Sequence, residues 1–518
     1  MNKLLAGIDV GTTGVRCMLF DSQGNLVSGA YREYETKYLR PGWAEQDLEQ
    51  MISQTMLVCR EALNVNNILA KNIASIGFSS QGHVTLAVDQ NGQILRPLIS
   101  WQDVRPQQEM EEIFRIISPE EYYSITGMPL IPILIVTKIN WIRKHEPDVY
   151  ALTDKFVQHQ DIILKAFGAE SFLTDLPSTS FYGAWDVRSA NWDTSLLERF
   201  DLNPAQFGQP TPSGTQVGTI PPGVAEQTGF VAGTPICVGA WDHTCGIIGM
   251  GSTLPGMATA TLGTSGLAVL VVDQPITGKG GMLTSHHALP NLWQLMGGAI
   301  SAASSYRWFR DTIGTLEVEQ ARQKGCNTFD LLNELAANAP PGSGGLLFLP
   351  YLNSSGTPHW NTQARAAFIG MSMAHGRAEL TRAVMEGVAL EMNDTMSGWY
   401  QSGMEIKSLR LGGGATKSPL WNQIQADVYG RPVQIMKVGE STVLGAAILG
   451  GVGAGVFDSI QEGVDAMVHV ETEIEPIAKN HETYQDLYSA YVEANQALSQ
   501  KTFENLAAIQ DVTSSRQQ

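Results

Sequence analysis

Paired cysteines, long apolar runs and positive charge are what this 518-residue chain has little of. Its five cysteines (Cys17, Cys59, Cys237, Cys245 and Cys326) form no C-x-x-C pair and no zinc spacing. That argues against a disulfide scaffold or a zinc site and reads as buried free thiols in a reducing compartment. Cys245, three residues after Asp242, stays open as a nucleophile on sequence alone. No stretch approaches the ~18 apolar residues of a membrane helix. Asp9 interrupts the apolar start Lys3–Ile8 before a signal-peptide core can form. A cytoplasmic protein with no membrane partner is expected. Lys and Arg number 33 against 51 Asp and Glu, a formal charge of −18. So acidic a surface disfavours nucleic acid as a partner, and a bound nucleotide needs local cations or a metal ion to offset it.

What is present describes a globular chain: 43% hydrophobic residues, with 52 Gly and 24 Pro spread throughout. The length exceeds one ordinary core, so two domains are expected. Hydrophobic patterning predicts strands over Leu4–Asp9, Val15–Phe20 and Leu26–Tyr34, a helix over Asp47–Leu63, then strands over Ile73–Phe78 and Val84–Asp89. The second half repeats the plan more loosely. Strands Ala258–Leu262 and Leu267–Val272 flank a tight turn, followed by a helix over Glu379–Met392 and a strand over Leu409–Leu411. A helix over Ser418–Tyr429, a strand over Val433–Met436 and a small-residue helix over Thr442–Gly450 complete it. The last of these is small enough to pack close to a neighbour. The expected fold class is α/β, with two ribonuclease-H-like domains of the actin, chaperone and sugar-kinase type flanking a cleft. The expected bounds are 1–248 and 249–500, with a polar tail over 501–518 that frays.

Two turns carry the chemistry. Asp9-Val-Gly-Thr-Thr13, continuing to Arg16, and Gly263-Thr264-Ser265-Gly266 each join apolar strands through small residues. Such turns gather backbone N–H groups and hydroxyls as phosphates require, although either alone also serves as a plain hairpin. Between them lies Asp242, in Val238-Gly-Ala-Trp-Asp-His-Thr-Cys-Gly246. One carboxylate between two phosphate-gripping hairpins points to a phosphotransferase whose base sits in a cleft.

The ordered set of motifs resembles the FGGY carbohydrate kinases over roughly residues 3–480. It includes Asp9-x-Gly-Thr-Thr13, Gln81-Gly-His83, Trp101-Gln-Asp-Val-Arg105, Lys138–His145, Asp242, Gly263-Thr264 and Trp308–Asp311. Ala367–Ser372, Gly412–Ala415 and Leu444–Ala447 continue it. The resemblance implies transfer of the ATP γ-phosphoryl group to a hydroxyl of a small sugar, with ATP and Mg²⁺ as cofactors. It makes Asp242 the catalytic base and Asp9 the residue that holds Mg²⁺ through water. Gly11, Thr12, Thr13, Arg16, Gly263 and Thr264 fall to the phosphates, and Gly413, Gly414, Ala415 and Ser418 to the adenosine side. Gln81, Gly82, His83, Trp101, Asp103 and Asp242 fall to the sugar. Trp101 also reads as a packed core residue, Asp103 with Arg105 as an ion pair, and His243 as structural. Three segments depart from the family pattern: Ser354-Ser355-Gly356 before Thr357-Pro358, Ala303, and Ile135.

Gln81-Gly-His83 and Trp101-Gln-Asp103 look closer to xylulose-type than to glycerol kinases. The stretch Ala426–Asp458 also resembles the kinase of the autoinducer-2 signalling molecule. An actin- or chaperone-like ATPase module without a sugar is the alternative of another class. Oligomeric state stays open, a homodimer included. Sugar binding is expected to draw two halves together about residues 245–260.

Overall fold

A computed structural model describes residues 3–277 and 281–515. Its first sheet has six strands: β1 (Leu4–Val10), β2 (Gly14–Asp21), β3 (Leu26–Glu33), β4 (Ile73–Ser80), β5 (Gln216–Thr219) and β6 (Pro235–Trp241), in the order β5-β6-β4-β1-β2-β3. β1, β2 and β3 run antiparallel to one another, whereas β4 lies parallel to β1 and β6 parallel to β4. The second sheet has seven strands: β7 (Met257–Leu262), β8 (Gly266–Val272), β9 (Leu283–His286), β10 (Trp293–Gly297), β11 (Ser408–Gly412), β12 (Val433–Met436) and β13 (Val470–Ile474). Its order is β9-β10-β8-β7-β11-β12-β13. The five strands β10-β8-β7-β11-β12 repeat β3-β2-β1-β4-β6, with the same antiparallel and parallel steps. This is the ribonuclease-H-like plan twice over.

The helices follow sequence logic with a few extensions. α1 spans Leu48–Val65, and the Asp47 side chain accepts from Gln50 N–H as its cap. The predicted Glu379–Met392 helix extends to Arg377–Gln401, because its buried stripe continues through Thr395, Met396 and Trp399. The predicted strand Val84–Asp89 shrinks to Leu86–Val88 and pairs with Lys155–Val157, outside both main sheets. The expected frayed tail is also corrected. Thr502–Ser515 forms a helix, because Phe503 and Ala507, four residues apart, give it one buried face, with Phe503 edge-on to Tyr351.

Two short helices join the halves. α2 (Asp242–Gly249) follows β6 directly, and α3 (Ser441–Gly453) comes from the second half yet lies on the first sheet. Leu5, Phe20, Ala240, Cys245 and Ile248 share one buried cluster with Val443, Leu444, Ala447 and Ile448. The approach is backbone to backbone: a Cβ on Gly249 would overlap the Ser441 carbonyl, and one on Gly445 the Cys245 carbonyl. The prediction of a small-residue helix that packs closely is met here.

Gly249→Ala or Gly445→Ala should therefore push the two helices apart and cost about 1–3 kcal/mol or more. A fall of several degrees in the thermal unfolding midpoint is expected, with loss of activity. An unchanged midpoint in both variants would show that the crossing tolerates a methyl group.

Candidate active site

The parallel strands of the first sheet deliver their carboxyl ends to one place. Asp9 on β1 registers with Ser79 on β4, and Trp241 on β6 with Ser80. Asp9, Gln81 and Asp242 thus emerge side by side, at the strand ends where α/β sheets bind ligands. Asp242 opens α2, whose N-terminal dipole favours negative charge. Its side chain is one-third exposed, and Oδ1 accepts from His243 N–H at 2.9 Å. Asp9 is buried, and Oδ1 accepts from Ser79 Oγ at 2.9 Å. Burial and then the Asp242 charge push the Asp9 carboxyl up to about 6, against the pull of Ser79 and Arg16. Two carboxylates this close form a donor set suited to a divalent cation. Among the described residues no group of three or more His, Cys, Asp or Glu is gathered for a metal.

The first hairpin is braced from several sides. Gly11 N–H donates to Gly14 O at 3.0 Å, and Tyr34 Oη donates to Gly11 O. Trp101 Nε1 donates to Thr12 Oγ1 at 2.9 Å, which leaves the Thr12 hydroxyl proton for an outside acceptor. Thr13 is exposed and Arg16 partly so. The Arg16 guanidinium lies 3.7 Å from Asp9 and 3.6 Å from Glu440, which precedes α3.

Across the cleft, β7 and β11 lie parallel with Thr261 opposite Gly412, so their ends deliver Gly263-Thr264 and Gly413–Ala415 together. A pocket of about 410 Å³ opens there, lined by Gly263, Thr264, Gly414, Ala415 and Ser418 among others. Gly413 has φ +82°, and a side chain there would strike the Leu262 carbonyl. Ser418 Oγ accepts from Trp421 N–H at 3.2 Å, so its hydroxyl caps the helix Pro419–Tyr429. Ala303, one of the departures from the family pattern, lines this pocket. Tyr306, Arg307, Phe329 and Asn333 also line it and escaped the sequence reading, because helix spacing alone does not reveal a cleft-facing side.

The expected sugar residues divide. Gln81 is buried and donates through Nε2 to Gln46 Oε1 at 2.6 Å, and Gln46 Nε2 donates to Thr12 O at 2.7 Å. Gln46, missed by the sequence reading, therefore couples the Gln81 segment to the phosphate hairpin. His83 takes φ +63° and packs against Phe181 and Trp241, with ring centroids 3.5 and 5.4 Å away. Burial lowers its pKa well below the ordinary value, so its ring is neutral. Gly82 lies beneath the Trp241 ring. Lys138, quoted only as part of a motif, is buried and donates through Nζ to His83 O and, at 3.0 Å, to Ser100 O. It clamps the two expected sugar segments together. Asp103 does not face the cleft: it is fully buried, accepts from Ala44 N–H at 2.7 Å, and pairs with Arg105 at 2.6 Å. The ion-pair alternative is what the geometry presents, in the interior. Cys245 is buried and its thiol is pushed well up by desolvation, the opposite of a nucleophile's environment.

Two sheets of this repeated topology define a two-domain α/β fold of the sugar-kinase type. The chain matches the N-terminal domain of the FGGY family of carbohydrate kinases over residues 4–249 and its C-terminal domain over residues 258–454. It belongs to that family. It is similar to the xylulose kinase of Escherichia coli (strain K12), 30% identical with 94% of this chain and 96% of the relative covered. It is also similar to the gluconokinase of Bacillus subtilis (strain 168), 28% identical over 94% and 95%. The crystal structure of ligand-bound xylulose kinase from Lactobacillus acidophilus superposes with a TM-score of 0.87 at 24% identity, covering 97% of this chain and 100% of that one; it shares the fold. The protein is an enzyme, an ATP-dependent sugar kinase, and the choice against a sugar-free ATPase module is made. No helix among the described residues is long and apolar enough to cross a membrane.

Thr13→Ala and Arg16→Ala should each raise the KM for ATP several-fold with little change in the sugar KM. His83→Ala and Lys138→Met should do the reverse. Steady-state kinetics with each substrate varied checks the partition, and a His83→Ala effect on ATP alone would overturn it.

Proposed function

We propose that this enzyme phosphorylates a neutral ketose of the xylulose type, with Asp242 as general base and Asp9 holding Mg²⁺ through water. The observation that carries the reading is the convergence of Asp9 and Asp242 at neighbouring strand ends of the first sheet, matched in the second by strands that bring the Gly263 and Gly413 turns together. Asp242 accepts the proton of the sugar hydroxyl as that oxygen attacks the γ-phosphorus and the bond to ADP breaks. Arg16, Thr12 and Thr13 bind the terminal phosphates from the first sheet, and Gly263 and Thr264 from the second. Gly414 and Ala415, carried by the turn at Gly413, receive the adenosine in the 410 Å³ pocket. Asp9, through water, would hold a Mg²⁺ ion that would offset phosphate charge.

Neutrality of the sugar follows from which groups remain free. Gln81 Oε1, His83 Nε2 and Trp241 Nε1 are buried and unpartnered, and all are uncharged. These are an acceptor and ring nitrogens that suit hydroxyls. The cations beside them are committed: Lys138 to two backbone carbonyls, Arg105 to Asp103 and Glu45. A sugar carboxylate, as in gluconate, would find Lys138 and Arg105, the cations of these segments among the described residues, already engaged. Asp103 supports the site by holding Arg105 and the Ala44 backbone.

Asp242→Asn should lower kcat by about 10²–10⁴-fold while leaving ATP affinity near wild type. A panel of pentuloses, hexuloses, polyols, gluconate and the autoinducer-2 precursor, followed by ADP release, tests the substrate. Xylulose or a related ketose should lead it. Preference for gluconate would refute the neutral-sugar reading, and preference for the autoinducer-2 precursor would reassign the enzyme.

A further inference from the structure

We propose that Gln160 and Asp175, which lie behind the site and outside the cleft, are positioning residues that aim Asp242. The inference rests on the reading of Asp242 as base. β6 does not run straight into that residue. Its register on β4 breaks between Cys237 and Ala240. Val238 turns its backbone to the other side, donating to Thr215 O at 2.9 Å and accepting from Gly214 N–H at 2.7 Å. Gly239 is pressed so closely on Phe78 that a Cβ would overlap the Phe78 carbonyl. A bulge of this kind re-aims the side chains that follow it, here Trp241 and Asp242. Without it, the strand would present opposite faces at its end.

The bulge is held by side chains from another part of the fold. Gly239 N–H donates to Gln160 Oε1 at 2.9 Å, and Gln160 Nε2 donates to Asp175 Oδ2 at 2.8 Å. Asp175 also accepts from Ser178 Oγ at 2.8 Å and, on Oδ1, from Ser178 N–H at 3.1 Å. The Trp241 amide adds to the stabilisation of its charged form. Gln160 is 2% exposed and Asp175 1%, so water does not substitute for either partner. An ionised carboxylate only accepts hydrogen bonds. It therefore forces the Gln160 amide to turn its N–H toward Asp175 and its oxygen toward Gly239. Burial raises the Asp175 carboxyl to about 6, which leaves it charged at neutral pH. The result is a chain from carboxylate through amide to backbone, ending three residues before Asp242.

A displacement of about 1 Å at a reacting group costs on the order of 100-fold in rate. Gln160→Met, which keeps side-chain length and removes no charge, and Asp175→Asn should therefore each lower kcat by roughly 10- to 100-fold. The KM for ATP and for the sugar should stay within a few-fold. In an Asp242→Asn background, Gln160→Met should lower the residual rate no further, because it acts through Asp242. Should Asp175→Asn fail to fold, Gln160→Met alone carries the test. Wild-type kcat in folded Gln160→Met, with Asp242→Asn inactive, overturns this inference and spares the base. Near-wild-type activity of Asp242→Asn removes the base reading itself. Equal losses in kcat and both KM values with a collapsed melting transition would mean general damage and also overturn the inference.

Discussion

The crossing of Asp242–Gly249 with Ser441–Gly453 is the contact on which the remaining geometry depends. It brings the two halves into backbone contact at Gly249 and Gly445, closer than any pair of larger residues allows. One of these helices starts at the base itself; the other starts just after Glu440, the partner of Arg16. The first sheet sets the spacing between base and phosphate hairpin, and the small residues of this buried cluster set how the second half sits against both. Packed interiors transmit displacement because they have few voids to absorb it. A change at the crossing would be felt at both substrates.

Electrostatics adds a second constraint. A chain with a net charge of −18 binds an anionic nucleotide only where charge is locally reversed. The first sheet does this with the partly exposed Arg16, which Asp9 and Glu440 hold from two sides. The remaining cations near the sugar segments are spent on structure. Arg105 packs over Trp43, 3.8 Å from its ring centroid, while pairing with Asp103 and Glu45; Arg96 pairs with Glu45 and Glu146. Breaking such a buried pair from one side leaves an uncompensated charge and costs about 3–5 kcal/mol. Interior ion pairs thus stiffen the wall on which Trp101 and His83 stand.

Much of the site was legible in one dimension because its parts are local. A strand ending in Gly-Thr-Thr, another ending in Gly-Thr-Ser-Gly, and a small-residue helix near 442–450 each announce themselves through spacing and residue type. What escaped has a common cause. Gln46 matters only because Gln81 and Thr12 flank it in space, and Tyr306 and Asn333 only because their helices face the Gly413 turn. Asp103 falls to the sugar by family resemblance, with an ion pair to Arg105 as the alternative; tertiary packing turns it inward to Arg105. The helix over Thr502–Ser515 looked like a polar tail, since two small or apolar contacts suffice to dock it.

The sequence by itself determined the repeated strand order, the two hairpin turns and the lone carboxylate between them, because turn chemistry and hydrophobic period act over a few residues. Tertiary structure alone decided which carboxylates meet, which cations are free and where Asp242 points. Those depend on contacts between residues far apart in the chain, such as Gly239 with Gln160 or Arg16 with Glu440. No local pattern encodes a partner that arrives hundreds of residues later; only close packing of the two halves selects it.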